Sequence, residues 1–208
     1  MPNHCSNYLT VKGNENDISR FHEAITARTD KMREHEEFSI LDNLYPTPKE
    51  LADTPSGSFE PEKQKLVDEQ ILRNREKYGC DTWYEWNIQN YGSKWSEYDG
   101  QFGEISPTEL NMSFCSAWSP ISNGIAKVSS LFPKLNFILS YEEGGMAFIG
   151  ACAYRNGEFV ADIEGVYPEM TDEEYENDDY DSHYERLSEY RRILEAQCEE
   201  LLEDTTSA

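Results

Sequence analysis

The stretch FPKLNFILSYEEGGMAFIGACAYRNGEFVADI, residues 132–163, decides the fold. Leu135, Phe137, Leu139 and Tyr141 recur at every second position, which puts them on one side of an extended strand. Gly144-Gly145 offers a hairpin turn, and Met146 to Tyr154 reads as the neighbouring strand. Asn156-Gly157 supplies two residues that tolerate positive φ, the demand of a type I′ turn, and leads into a third strand from Glu158 to Ile163. Pro133 separates these antiparallel strands from what precedes them.

Working back along the chain, Ser119-Pro120 reads as a helix N-cap followed by proline at the first helical position. Ile121, Ile125, Val128 and Phe132 then line one helix face, and Leu110, Met112 and Phe114 alternate as the strand before it. This half is a strand, helix, strand unit with two added strands. The other half starts at Ser6 to Lys12, where Leu9 and Val11 share a strand face and Gly13 ends it. Asn14 caps a helix carrying Ile18, Phe21, His22 and Ile25, so His22 reads as a core or boundary residue rather than a ligand. Phe38 to Leu41 is expected to be a second strand.

Between the halves, Tyr45 to Gly57 reads as a loop and Pro61 opens a helix that Gly79 stops after Tyr78. Thr82 to Glu85 (TWYE) matches a capping box for a short aromatic helix with Trp83, Trp86, Ile88 and Tyr91, closed by Gly92. Asp99 to Pro107 is expected to be a loop. Residues 46–106 are therefore a mostly helical insertion in a domain spanning 1–165, followed by an acidic extension at 166–208. In that extension Leu187, Tyr190, Leu194, Cys198 and Leu201 predict an amphipathic helix, with Arg192 paired to Glu195. The fold class is α+β: an antiparallel sheet with helices on one face, a helical insertion and a C-terminal helix.

Charge narrows the function. The chain carries −23, and the stretch from Glu169 to Ala208 supplies −12 of it with 15 acids and 3 Arg. Self-repulsion and repulsion from phosphates disfavour nucleic acid or an anionic membrane as direct partner. Aromatic residues are 12% of the chain, enough for a core and against full disorder. No apolar run is long enough to cross a bilayer, and MPNHCSNYLT lacks a leader pattern, so a cytoplasmic location is expected. Cys5, Cys80, Cys115, Cys152 and Cys198 are odd in number and scattered, which suits buried thiols in a reducing compartment. No metal or cofactor is expected, since His and Cys show no ligand spacing.

Three motifs in order carry a family resemblance: MPNHCSNYLTVKG (1–13), NYGSKW (90–95), and SAWSPI (116–121) followed by FPKLNFILSYEEG and GGMAFIG. Together they resemble the YubB ferredoxin-like family of phage and conjugative-plasmid proteins, over roughly residues 1–45 and 86–160. The resemblance implies a ferredoxin-like sandwich and a mobile-element origin. His4 stands where the family has Trp, and the extension beyond about Gly165 lies outside it.

No catalytic constellation emerges, and the protein is read as non-enzymatic. Ser116 and Ser119 lack a nucleophile elbow. Glu142 and Glu143, as strand neighbours, point to opposite faces and read as a solvated hairpin end rather than an acid/base pair. Gly144-Gly145 is no phosphate loop, and counting from Asp179 puts Tyr184 and Tyr190 where an EF-hand needs Gly and Glu. The leading site is the acidic run: Asp172, Glu173, Glu174, Glu176, Asp178, Asp179 and Asp181, interleaved with Tyr175, Tyr180 and Tyr184. Its bland reading is a solvated face. Its functional reading is a surface that occupies a basic host protein, of a defence or nucleic-acid-processing system, and inhibits it by mimicking a phosphate backbone. The alternative is a pocket of Lys94 with Trp86, Trp95 and Trp118 sequestering an anionic nucleotide, against which Gly92 as a plain helix cap is weighed. The oligomeric state is open, a dimer through an exposed sheet edge being one option.

Overall fold

The structure, a computed structural model, describes residues 3–29, 32–55 and 57–205. Strands β1 (His4–Lys12), β2 (Tyr98–Ser106), β3 (Glu109–Ala117), β4 (Asn136–Glu143), β5 (Phe148–Arg155) and β6 (Glu158–Val166) form one sheet in the order β2-β3-β1-β4-β5-β6. Every neighbouring pair is antiparallel. Helices α1 (Glu15–Thr26) and α6 (Ser122–Leu131) connect β1 towards β2 and β3 to β4. The first four strands with these helices make the β-α-β-β-α-β arrangement of a ferredoxin-like sandwich. Between α1 and β2 lie α2 (Leu41–Leu44), α3 (Lys49–Ala52), α4 (Pro61–Tyr78) and α5 (Trp83–Tyr91), and the C-terminal part holds α7 (Asp172–Glu176) and α8 (Tyr180–Asp204).

The two sheet faces are built differently. On one, Leu9, Val11, Met112, Phe114, Phe137 and Tyr154 pack against α1 and α6 in the main core. Phe21 of α1 meets the rings of Phe132 and Phe137 edge-on at 5.1 and 5.5 Å, a favourable quadrupole arrangement. On the opposite face α8 lays Leu187, Leu194, Cys198 and Leu202 over Ile138, Ile149, Ala151, Ala153 and Ala161. The small floor lets the helix come close. A Cβ on Gly165 would meet Tyr190 at 2.9 Å and Leu194 at 3.0 Å. The expected helical layer on one face is present, and α8 adds a second layer on the other. Burial pushes the thiols of Cys5, Cys152 and Cys198 up to about 12, which leaves them unreactive.

Local chemistry sets most boundaries as expected. The Asn14 side chain accepts from the Asp17 amide at the start of α1. Gly79 and Gly92 end α4 and α5 at φ 75° and 86°, and Asn156 and Gly157 turn at φ 51° and 86°.

Several expectations are corrected. Phe38 to Leu41 is not a strand, because both sides of β1 are already occupied by β3 and β4. Its donors go elsewhere: the Ser39 amide donates to the Ile25 carbonyl (2.9 Å), and the Ile40 and Leu41 amides donate to the Glu97 carboxylate. Residues 99–106, expected as a loop, are strand β2. Two register shifts against β3 and the glycines at 100 and 103 erase the alternation that marks a strand. The Tyr45 to Gly57 loop includes the single turn α3. Ser119 does not cap α6, which starts at Ser122; its hydroxyl donates to the Gly92 carbonyl at 2.6 Å. Thr82 makes no side-chain cap, and Glu85 accepts from the Asp81 amide at 2.7 Å. On α8 it is Arg191, four residues before Glu195, that pairs with it at 3.0 Å, and Leu202 rather than Leu201 is buried.

Each sheet edge has its own character. β2 is irregular, and β6 exposes Glu158, Asp162 and Glu164. Among the described residues no helix is long and apolar enough to cross a membrane.

Candidate functional site

The acidic run folds into a fixed corner. Thr171 Oγ1 accepts from the Glu174 amide at 3.2 Å while Glu174 Oε2 accepts from the Thr171 amide at 2.7 Å, a reciprocal capping box for α7. Arg186 of α8 then donates to the same carboxylate from Nε at 2.9 Å and from Nη2 at 2.5 Å. The guanidinium and the Thr171 amide hold the Glu174 carboxyl down at about 2. Asp179 Oδ1 accepts from the Ser182 amide at 3.1 Å and so caps α8.

Of the seven acids read from the sequence, Glu174 and Asp179 are thus engaged internally. Asp172, Glu173, Glu176, Asp178 and Asp181 are exposed, and their carboxylates meet no hydrogen-bond or ion-pair partner among the described residues. Tyr175, Tyr180 and Tyr184 are each at least half exposed beside them. Tyr180 and Tyr184 lie four apart on α8 and share a face. A corner of negative charge and phenol rings can pair with Lys and Arg and give those cations aromatic faces.

The corner stands at one end of the sheet. Glu143 pairs with Phe148, which pairs with Val166, so the β4–β5 turn and the end of β6 lie together. The ring of Tyr167 then stands 6.2 Å from that of His183 on α8. The solvated hairpin end expected for Glu142 and Glu143 is not what forms. Glu143 is buried and accepts from the Gly145 and Met146 amides at 2.8 Å each, shaping the turn. Glu142 faces the other side, where desolvation raises its pKa.

Lys94, Trp86, Trp95 and Trp118 are spread over different surroundings. Trp86 is buried in the core, with its ring 5.4 Å from Tyr45 and 5.3 Å from Tyr91. Lys94 Nζ sits 4.7 Å from the Trp95 ring. Trp95 lines a cavity of about 250 Å³ whose wall includes Arg33, Glu36, Asp42, Glu97 and Tyr98 but not the other three residues. Burial pushes the Glu97 carboxyl up to about 7 despite the amides it accepts from. Trp118 is at the surface with φ 70°, a left-handed conformation rare for a bulky residue.

His35, Glu36 and Asp99 bring ligand atoms within 4.8 Å of one another. All three already have protein partners. Glu36 accepts from the Arg33 and Asp99 amides, and Asp99 Oδ1 sits 2.8 Å from Arg33 Nη1 and 2.9 Å from His35 Nε2. A guanidinium beside these groups disfavours a second cation there.

What sequence reasoning missed at this end is Met146, Val166 and the orientation of Trp118, all exposed by tertiary placement rather than by any motif. The capping box was readable, because Thr171-Asp172-Glu173-Glu174 has Thr followed three residues later by Glu.

With strand order and helix placement established, the class is a ferredoxin-like α+β domain carrying two extra strands and a helix on its second face. Residues 90–185 match the family model described as a ferredoxin-like domain in Api92-like protein. A crystal structure of a protein api92 from Yersinia pseudotuberculosis is similar over 82% of this chain and 100% of its own, at a TM-score of 0.47 and 11% identity. None of the curated proteins matches the chain.

Proposed function

We propose that this is a non-enzymatic protein of a phage or other mobile element that docks on a basic host protein and inhibits it. The α7–α8 corner is the contact surface, and its carboxylates stand in for nucleic-acid phosphates. The observation that carries the reading is that five unpartnered acids and three exposed tyrosines sit on a corner locked by the capping box and Arg186. A surface ordered before binding loses little entropy when a partner arrives. The mobile-element setting, and with it a host defence or nucleic-acid-processing target in the cytoplasm, rests on the resemblance to the YubB family.

The test replaces Asp172, Glu173, Glu176, Asp178 and Asp181 by Asn or Gln and compares capture from host lysate at low and high salt. The wild-type chain is expected to retain a basic protein at about 50 mM salt, release it near 500 mM, and lower its activity. The five-fold variant is expected to retain none. Equal retention by the variant, or no partner for the wild type, overturns the proposal.

A further inference from the structure

We infer that the docking surface continues beyond the acidic corner as an apolar ridge along the same end of the sheet, ending at Trp118. The partner it fits is a protein surface with an apolar strip flanked by Lys and Arg. This rests on the docking role proposed above and adds what the charges cannot supply.

The elements that meet at this end can be followed from one to the next. The Trp118 amide donates to the Asn3 carbonyl at 3.0 Å. A Cβ on Gly145 would lie 2.7 Å from Asn3 Nδ2, so the β4–β5 turn abuts this segment. A Cβ on Gly144 would lie 3.0 Å from Tyr167 Oη, which brings in the residue after β6. The rings of Tyr167, His183 and Tyr184 follow at 6.2 and 5.9 Å. Along this path Trp118 is 46% exposed, Met146 65% and Val166 82%, and Tyr175, Tyr180 and Tyr184 complete it at the acidic end.

Backbone geometry favours a built surface over chance exposure. Trp118 is held at φ 70° and Ala147, next to Met146, at φ 54°. Glu143, buried, fixes the turn that presents Met146. Large apolar side chains kept in water at one end, with unpartnered acids beside them, have the layout of an interface with an apolar centre and polar rim. Aromatic anchors of this kind carry a large share of binding energy in protein contacts, while the acids choose a cationic partner.

Two synthetic peptides of equal length and charge test the inference, one alternating Lys with Leu and the other Lys with Gly. Both should bind the full chain at low salt. At physiological salt the Lys-Leu peptide should bind about tenfold more tightly. The combined variant Trp118→Asn, Met146→Ser, Val166→Ser should erase that difference and leave low-salt binding intact; Asn tolerates the positive φ at this position. The control Leu66→Ser, Leu72→Ser, which alters exposed leucines on α4, should change neither. A tenfold preference that survives the ridge variant, or that the α4 control removes equally, overturns the ridge. Failure of both peptides to bind at low salt overturns the acidic docking role beneath it.

Discussion

The carboxylates of Glu36, Glu37 and Glu97 are engaged by backbone amides around the start of β2, whereas most of those between Asp172 and Asp181 turn outward. In the first region Glu36 accepts from the Arg33 and Asp99 amides, Glu37 from the Phe102 amide, and Glu97 from the amides of Ile40 and Leu41. These side chains tie the segment 33–41 to β2, filling the place of a strand ladder. In the second region two acids do comparable work and five face water. The difference teaches that a net charge of −23 is not one property. Part of it is a hydrogen-bonding framework, and part is free to act on other molecules.

The sharpest way to break this contrast is Glu97→Ala. Two buried amides lose their acceptor, and unfolding in denaturant should show a loss of about 3 kcal/mol. pH offers a second handle on the same residue. Its folded pKa of about 7 lies above the ordinary 4.5, so its protonation stabilises the fold. That contribution is full below pH 4.5 and disappears as pH rises through 7. Relative to Glu97→Gln, the wild-type chain should therefore gain stability between pH 8 and pH 5. A constant difference across that range would show that Glu97 is not desolvated. Glu174 behaves in the opposite sense: its depressed carboxyl contributes above pH 4.5 and loses its effect as pH falls through about 2.

A smaller effect is expected at the corner itself. Thr171→Ala removes one half of the capping box, at about 1 kcal/mol locally. Amide exchange at Tyr175 and Asn177, whose donors close the turns of α7, should accelerate while the sheet stays protected. Smallest of all is the five-fold neutralisation of the outward acids, which should move the unfolding free energy by no more than about 0.5 kcal/mol. A large loss there would mean the outward acids belong to the framework after all.

How much of this the sequence disclosed depended on where each decision is made. Turns and caps settled by two to four adjacent residues were legible: Asn156-Gly157, Asn14, Gly79 and Gly92 all act as read. Segment 38–41 was not, because four apolar-rich residues fit a strand or a buried loop equally, and the choice is made by Glu97 far along the chain. β2 escaped notice because its bulges spoil the period and only β3 holds it in the sheet. The acids were visible as a run. Which of them would fold inward was visible only through Thr171-x-x-Glu174, and Arg186 as their clamp required the path of α8.

The two sheet borders have a consequence for behaviour in crowded solution. A regular, neutral border strand would template extra strands from neighbouring copies and seed fibrils. Here one border is kinked out of register, and the other lines up Glu158, Asp162 and Glu164 against any approaching duplicate. Ladder growth is opposed on one side by geometry and on the other by like charge.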